Sequence, residues 1–360
     1  MSRKLKIGII GTGGIAGSHV NSYKNFEDVE IVCGCDIIPG KARAFFDNRG
    51  LPEAKAFDSK EDMFKAFPDL DGVSVCTYNQ THAECAVAAM EAGYHVLLEK
   101  PMCVTMAQAT EILKAEKKTG KIITIGFQPR YDPNMIKVKE IVQSGDLGKI
   151  YYVQTGGGRR RGMPGGTFIR KDTAGVGALA DIGCYGLDMP LNSLGYPKPL
   201  TVSAVAKNYF GTSKKYNPGN YMNFEVDDFS AALIRLEGDI TLDFRMSWAM
   251  HMDTTGSTIF LGTEKGLKVQ PAGGGAWDGT VGPMTIFHDS YGMQTETPIP
   301  VQQARESCFG LKCRAFCDAI INNGPAPIPT SQIIYNQAII DGIIRSSASG
   351  REVDIVIPEV

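Results

Sequence analysis

The sequence lacks an excess of basic charge. Its 360 residues include 37 Lys and Arg against 39 Asp and Glu, which gives a formal net charge of −2. A chain with this balance has no surplus of cations to neutralise the phosphates of a nucleic acid or of an anionic membrane. The composition therefore argues against both and favours a small-molecule partner.

Long apolar runs are also missing. Residues 1–6 include Arg3, Lys4 and Lys6 and lead directly into a strand pattern, so we expect no apolar core of a signal peptide there. The longest uncharged stretch, residues 319–340, contains three prolines, a composition that a membrane span rarely has. The nine cysteines are odd in number and scattered, which argues against a disulfide framework. We expect a cytoplasmic protein without a membrane segment.

Metal-ligating residues are sparse. Cys308, Cys313 and Cys317 form the one cluster of thiols, and neither a histidine nor a second cysteine pair accompanies them. Free cysteines more often pack in a protein interior than bind metal. The sequence therefore predicts buried helix cysteines and no metal site.

A repeating pattern is present in the first part of the chain. Short apolar runs alternate there with stretches of helical length, and the runs cover residues 6–10, 29–35, 73–77, 95–98 and 122–126. This alternation is typical of βαβ units. It predicts an α/β domain over residues 1–126 with a Rossmann-type, doubly wound parallel sheet.

The pattern changes after residue 127. Residues 228–236 and 240–248 alternate like strands, and the tight turn Glu237-Gly238-Asp239 joins them. Residues 150–155 resemble a further strand, whereas 181–194, 301–322 and 331–347 have helical character. Glycine-rich patches, among them 272–275, are expected to be loops. We predict an α+β domain over residues 127–360 with a large, mainly antiparallel open sheet, whose uncovered face favours a homo-oligomer.

A glycine-rich turn follows the first predicted strand. Gly11, Gly13, Gly14, Ile15 and Ala16 fit the pattern G-x-G-x-x-[G/A], placed between a strand and a helix. In this pattern the first glycine makes the tight turn and the second lets the backbone approach a pyrophosphate. The free N–H groups of the helix N-terminus would bind that anion. The turn predicts a dinucleotide site.

The second predicted strand ends at Asp36, where a carboxylate can accept hydrogen bonds from both hydroxyls of an adenosine ribose. The same charge would repel a 2′-phosphate. We therefore expect NAD as the cofactor. Lys41 and Arg43 are near enough in sequence to leave NADP as the less favoured alternative.

Two further segments carry groups suited to catalysis. Glu99-Lys100-Pro101 follows the 95–98 strand, at the sheet edge where ligands bind in such folds. Asp181, Tyr185 and Asp188 are spaced i, i+4, i+7, so they share one stripe of a helix, and we expect that stripe to face a cleft. A surface ion pair and a solvent-facing helix are the alternatives.

Taken together, these motifs resemble the Gfo/Idh/MocA family of sugar and inositol oxidoreductases over nearly the full length. The matching positions are residues 11–16, 77–82, 99–101, 126–128 with Arg130, and the D-x-G-x-Y-x-x-D segment 181–188. The chain departs from the usual pattern in having Tyr185 where most members have histidine. Glucose-fructose oxidoreductase and dimeric dihydrodiol dehydrogenase are similar to it in this respect.

The resemblance implies an NAD-dependent oxidoreductase that acts on a sugar, glycoside or cyclitol at a ring secondary hydroxyl. It places six side chains near the cofactor beyond the glycine turn and Asp36, namely Thr77, Asn79, His82, Glu99, Lys100 and Gln128. It also implies that Lys100 and Tyr185 handle the hydroxyl proton and that Asp181 orients the substrate. We expect these three groups to meet over the nicotinamide.

A phenol with a pKa of about 10 is a poor base at neutral pH unless a cation favours its phenolate. Our hypothesis is that Tyr185 accepts the hydroxyl proton while Lys100 stabilises the developing alkoxide charge. His82 and His251 are weaker candidates for proton transfer.

Further candidates for substrate binding come from unusual residues of the second domain. Arg159 and Arg161 belong to a run of three arginines between glycines, which could clamp substrate oxygens or lie in a solvated loop or a subunit contact. Trp248 could stack on a sugar ring, and Asp188 completes the polar stripe. Two other functions stay open: an NAD-binding, sugar-sensing regulator without turnover, and an enzyme that uses tightly bound NAD transiently.

Overall fold

The computed structural model describes residues 3–271 and 281–360, so the predicted loop at 272–275 lies outside the described residues. Contacts divide the chain into two units, which are taken in turn with elements numbered along the chain. Unit 1 comprises Met1–Gln128, Glu306–Ile333 and Pro358–Val360, and unit 2 comprises Pro129–Arg305 and Ile334–Ile357. Residues 306–333 thus belong to the first unit, whereas the pattern of the sequence predicted them in the second domain.

Unit 1 is built on a parallel sheet. Its strands are β1 (Leu5–Ile10), β2 (Val29–Cys35), β3 (Lys55–Phe57), β4 (Gly72–Val75), β5 (His95–Leu98) and β6 (Ile123–Ile125). They lie in the order β3-β2-β1-β4-β5-β6, and each recorded pairing is parallel. The order reverses at β1, which confirms the doubly wound sheet. The three-residue strand β3 had no counterpart among the predicted elements.

Helices connect these strands. They are α1 (Gly14–Tyr23), α2 (Lys41–Asp47), α3 (Lys60–Ala66), α4 (His82–Glu91) and α5 (Met106–Thr119), with α9 (Cys308–Ile321) added from the later part of the chain. The side chain of Thr105 accepts a hydrogen bond from the Gln108 N–H, and the side-chain oxygen of Gln108 accepts one from the Thr105 N–H, which forms a capping box. Helix α9 contributes Phe316 and Cys317 to the core that β1 and α1 also line.

Unit 2 contains a nine-stranded sheet. Its strands are β7 (Ile150–Gly156), β8 (Pro199–Lys207), β9 (Phe229–Leu236), β10 (Ile240–Ser247), β11 (Thr258–Gly262), β12 (Gly266–Pro271), β13 (Val281–Ser290), β14 (Met293–Ile299) and β15 (Val353–Asp354). The order is β14-β13-β12-β11-β7-β10-β9-β8-β15. The β7–β10 pair is parallel and the other recorded pairs are antiparallel, which confirms the mainly antiparallel sheet.

Helices of unit 2 cover one face of this sheet. They are α6 (Pro133–Gln143), α7 (Ala178–Asp181), α8 (Gly183–Leu194) and α10 (Thr330–Ser349), the last of which starts in unit 1. Helix α8 contacts β7 and β10. Buried Ile234 and more exposed Leu233 show the alternation expected of a strand covered on one face. The hairpin between β9 and β10 has the predicted turn, with positive φ at Gly238 and Asp239.

The predicted helix 181–194 is divided into two pieces. Helix α7 ends at Asp181, Ile182 connects the two, and α8 begins at Gly183. The predicted helix 301–322 begins only at Cys308, because residues 301–307 form no helix. Both differences lie at helix starts, which are harder to predict from an apolar period than the helices themselves.

Candidate active site

The glycine turn of unit 1 has a backbone that requires glycine at one position. Gly11 has a φ of +85°, and a Cβ there would lie 2.8 Å from the carbonyl oxygen of Cys76. Any side chain would meet both the strain of positive φ and this backbone clash. Gly11 therefore brings the start of α1 close to the end of β4.

The N-terminus of α1 is open and has no cap of its own. The N-cap residue is Gly13, which has no side chain to cap the helix, and the first turn contains no acidic residue. A Cβ built on Gly13 or Gly14 would meet nothing within 4 Å, whereas the next residue, Ile15, packs against the core. Free N–H groups facing open space fit the pyrophosphate of a dinucleotide.

Asp36 follows β2 and is largely buried. Its Oδ2 accepts hydrogen bonds from the Thr12 N–H at 2.9 Å and the Thr12 hydroxyl at 2.8 Å, and its Oδ1 accepts from the Ile38 N–H at 3.1 Å. The Lys41 ammonium lies 2.8 Å from Oδ2. Burial raises the pKa of Asp36, but Lys41 and these N–H groups outweigh it, so the pKa lies below its ordinary value. An ionised Asp36 fixes the turn at Thr12.

The segment after β4 carries the next predicted cofactor residues. Thr77 lies two residues beyond the end of this strand, and Asn79 begins the single turn Asn79–Thr81 that precedes α4. His82 is buried, with Nδ1 2.7 Å from the Pro101 carbonyl and Nε2 3.3 Å from the Thr77 carbonyl. Burial lowers the pKa of His82, and the single N–H of the neutral ring donates to one of these two carbonyls at a time.

The Glu99-Lys100-Pro101 segment follows β5, and its Lys100–Pro101 peptide bond is cis. Glu99 was expected beside the cofactor. Its carboxylate is buried, with Oε1 2.8 Å from His19 Nε2 and in an ion pair with Lys312. Lys100 is half-buried. Gln128 begins the turn Gln128–Tyr131 at the end of unit 1.

In unit 2, α7 and α8 position two of the predicted catalytic side chains. Asp181 is the last residue of α7, and its Oδ2 accepts a hydrogen bond from the indole N–H of Trp248 at 3.1 Å. Tyr185 lies in the first turn of α8 and is buried. Trp248 is fully buried and has the ring of Phe224 edge-on at 6.3 Å. An indole without exposed surface offers no face to a sugar ring, and Trp248 instead orients Asp181.

Asp188 is buried in an ion pair rather than exposed on a polar stripe. Arg130 donates to both of its oxygens, at 2.9 Å from Nε and 2.6 Å from Nη2, and the hydroxyl of Tyr196 donates to Oδ1 at 3.2 Å. Such bidentate pairs satisfy a carboxylate fully. The helical spacing predicted that Asp181, Tyr185 and Asp188 share a stripe that faces a cleft, but Asp188 pairs with Arg130, and each residue of α8 from Gly183 to Ser193 is buried.

The arginine run is held by nearby backbone and aromatic rings. Arg159 Nη1 donates to the Gly162 carbonyl at 3.0 Å. Arg161 Nη1 donates to the Met250 carbonyl at 2.7 Å, and its guanidinium carbon lies 4.9 Å and 4.8 Å from the ring centroids of Phe210 and Tyr216. Arg161 thus links three loops of unit 2.

Asp227 was not among the predicted site residues. Its carboxylate oxygens accept hydrogen bonds from the Gly177 N–H at 2.7 Å and the Leu179 N–H at 2.8 Å, while its backbone carbonyl accepts from Ala178 N–H at 3.0 Å. A Cβ on Gly177 would lie 2.0 Å from that carbonyl oxygen. Asp227 therefore anchors the start of α7, the helix that ends at Asp181. The only signal in the sequence was the acidic doublet before β9.

Burial raises the pKa of Asp227 from 3.8 to about 6 against the effect of its N–H donors. The folded chain therefore binds this proton more tightly than the unfolded chain, and stability falls as pH rises through this window. Asparagine does not titrate, so Asp227→Asn does not lose this stability. As pH rises through the window, we expect its free energy of unfolding to increase relative to that of the wild type by roughly 3 kcal/mol in total, at about 1.4 kcal/mol per pKa unit.

Thermal unfolding at a series of pH values from 4 to 7 tests this prediction, with the difference between the two proteins as the readout. The matched control is Asp239→Asn, which changes an exposed aspartate of a hairpin turn. Its difference from the wild type should not vary in this way. A pH-independent difference for Asp227→Asn would contradict the prediction.

Cys313 and Cys317, the pair considered as metal ligands, lie in the core of unit 1. Burial raises the pKa of Cys313 to about 11 and that of Cys317 to about 12, so both remain protonated thiols. Among the described residues, no helix is both long and apolar enough to cross a membrane.

A doubly wound sheet with this glycine turn defines a dinucleotide-binding protein, and the antiparallel sheet of unit 2 adds a second domain to it. The chain belongs to the GFO/IDH/MocA oxidoreductase family. Residues 5–127 match the family's NAD-binding Rossmann fold, and residues 135–268 match its C-terminal domain.

Relatives of the chain include sugar and cyclitol dehydrogenases. The chain is 32% identical over 277 residues to D-glucoside 3-dehydrogenase of Escherichia coli (strain K12), which covers 72% of this chain and 78% of that protein. It is 38% identical over 147 residues to inositol 2-dehydrogenase of Salmonella typhimurium (strain LT2), which covers 40% of this chain and 43% of the relative. The second match thus spans less than half of either protein.

A solved structure of levoglucosan dehydrogenase in complex with NADH and L-sorbose has the same fold. Its TM-score is 0.83 at 20% sequence identity, with 98% of this chain and 99% of that chain covered. The family and the fold confirm the expectation of an NAD-binding oxidoreductase.

Proposed function

We propose that the chain catalyses the reversible, NAD-dependent oxidation of a ring secondary hydroxyl of a sugar, glycoside or cyclitol. The observation that carries this proposal is the uncapped N-terminus of α1 behind Gly11, which fits a dinucleotide, in a chain whose α7 and α8 present Asp181 and Tyr185. The dehydrogenases among its relatives support the substrate class. They do not favour a regulator without turnover.

The cofactor would be held by the N–H groups at Gly13 and Gly14 and by Asp36, with Thr77, Asn79, His82 and Gln128 in the following segments. NAD supplies the acceptor for the hydride of the carbinol carbon. Tyr185 accepts the proton of the reacting hydroxyl, and the Lys100 ammonium stabilises the negative charge that develops on its oxygen. Asp181, fixed by Trp248, orients a substrate hydroxyl.

Glu99 and Asp188 have positioning roles in this proposal, since buried ion pairs occupy their carboxylates. Arg159 and Arg161 hold the loops that would surround the substrate, because their guanidinium groups already bind backbone carbonyls. Because the nine cysteines are all free, we also propose a cytoplasmic location. The open sheet face of unit 2 suits a homo-oligomer, which light scattering would measure.

A panel of sugars, glycosides and cyclitols tests the activity, with reduced cofactor measured by its absorbance and NAD compared with NADP. We expect turnover with NAD on at least one member. NAD binding by calorimetry without reduction by any member of the panel would reject the proposal and favour the regulator.

We expect NAD to be preferred over NADP because Asp36 is ionised. Asp36→Ser removes the charge that repels a 2′-phosphate and leaves Lys41 available to bind one. The ratio of kcat/KM for NADP to that for NAD should rise by about tenfold or more, which corresponds to about 1.4 kcal/mol of charge interaction. Asp58→Ser, which changes a carboxylate near the helix α2 start, is the control. A constant ratio in Asp36→Ser would show that another residue discriminates.

A further inference from the structure

Lys312 is a lysine with almost no exposed surface, on α9 in unit 1. Its ammonium forms an ion pair with Glu99, lies 3.1 Å from His19 Nε2, and is 5.1 Å from the ring centroid of Phe309. Lysines are almost never fully buried unless they are paired. No step of the proposed reaction is assigned to this buried ammonium.

The carboxylate of Glu99 connects Lys312 to the catalytic segment. Oε1 faces Lys312 and His19, whereas Oε2 accepts a hydrogen bond from the backbone N–H of Lys100 at 3.3 Å. A Cβ on Gly126 would lie 2.8 Å from Oε1, so a glycine after β6 leaves the space that the carboxylate occupies. The carboxylate is therefore confined between β6, α1 and α9.

The charges in this cluster are balanced. Burial raises the pKa of Glu99, but the Lys312 ammonium and His19 outweigh it and hold the pKa well below its ordinary value. Burial, followed by Lys312, lowers the pKa of His19. His19 is thus neutral, with Nδ1 3.0 Å from the Ser74 hydroxyl, whose oxygen lies 2.8 Å from the Tyr23 hydroxyl. One cation and one anion remain, and each neutral partner is itself hydrogen-bonded.

A buried ion pair is weak evidence for stability, because apolar residues of similar volume often stabilise a core equally well. Removing one partner alone, however, leaves an uncompensated charge. Glu99, the anion of this pair, also accepts a hydrogen bond from the peptide N–H of Lys100. The ammonium of Lys100 must be placed to within fractions of an ångström for catalysis. We therefore expect this arrangement to determine the position of the Lys100 backbone more than the stability of the fold.

We propose that Lys312 is a positioning residue that acts through Glu99 to fix the backbone of Lys100. This inference rests on the proposed function for the role of Lys100. It assigns a positioning role to a helix from the later part of the chain, which is distant in sequence from the motifs that resemble the family. Lys312 does not touch the substrate or the cofactor.

A double-mutant cycle on the whole chain of 360 residues tests this role, with Lys312→Met, Glu99→Gln and the double variant. We expect Lys312→Met to lower kcat between about 10- and 100-fold while the Kd for NAD changes less than about twofold. The double variant removes both charges together, so it should fold even if a single variant does not. Its kcat should fall no further than that of the worse single variant.

A second readout does not depend on turnover. The rate at which acetic anhydride acylates Lys100 at one fixed pH, measured by peptide mass spectrometry, reports the placement of its ammonium. We expect the rate to change at least about threefold in Lys312→Met and in the double variant. The matched control is Lys114→Met with Glu111→Gln, an exposed ion pair of unit 1, which should change neither quantity.

Wild-type values, within twofold, of both kcat per folded molecule and Lys100 acylation in the double variant would overturn the proposal. The failure of the wild type to oxidise any substrate would instead reject the proposed function. In that case the acylation rates alone decide whether Lys312 positions Lys100.

Discussion

The Tyr185→Phe variant is expected to lose between about 10²- and 10⁴-fold in kcat, the range that a positioned general base contributes. Phenylalanine keeps the ring and therefore the packing of α8, which is buried around its circumference. It removes the one oxygen that accepts the substrate proton in the proposed mechanism. We expect the Kd for NAD and the melting temperature to stay close to the wild-type values.

Steady-state kinetics on the substrate identified by the panel measure this loss, and calorimetry measures NAD binding. Tyr152→Phe is the matched control, because its hydroxyl donates to Asp243 at 2.9 Å within the sheet of unit 2. That variant should retain kcat within about twofold, as expected for a substitution away from the reacting groups. Near-normal turnover in Tyr185→Phe would show that Lys100 or a histidine is the base.

The cofactor turn could be predicted because its signals are local. A strand, three glycines and a helix start follow one another in sequence, and positive φ at Gly11 needs nothing beyond that stretch. The alternation of β9 and β10 around their turn is equally local. Short strands such as β3, with three residues, contain too few positions to show a period.

The surroundings of the site residues depend on partners that are distant in sequence. The stripe through Asp188 was interpreted as polar because its partner, Arg130, lies on another segment. Trp248 was interpreted as a stacking surface, but its burial and its hydrogen bond to Asp181 depend on how β10 packs. Helical period gives the face of a residue but does not identify what covers that face.

The partner of a charged residue is also hard to predict when that partner is distant in sequence. Glu99 and Lys100 adjoin in sequence and could have formed a surface pair with each other. Glu99 is instead neutralised by Lys312, a residue that no motif marked. The charge that neutralises Glu99 therefore comes from α9, a helix that is distant in sequence from β5.

Lys100→Met should therefore act on catalysis and leave the fold unchanged. The Glu99–Lys312 pair persists in this variant, because the backbone N–H of residue 100 and both buried charges are retained. We expect kcat to fall by about 10³-fold, the upper range for the loss of one preorganised donor to a developing oxyanion. The melting temperature should not change.

The matched control is Lys118→Met, which removes an exposed ammonium paired with Glu91 and should leave kcat within about twofold of the wild-type value. Kinetics over a range of pH separate two causes of a loss in Lys100→Met. A loss that persists at high pH, where a phenol ionises without help, reflects missing stabilisation of the alkoxide. If kcat instead recovers at high pH, Lys100 acts by favouring the phenolate of Tyr185. That help is unnecessary once hydroxide has removed the phenolic proton.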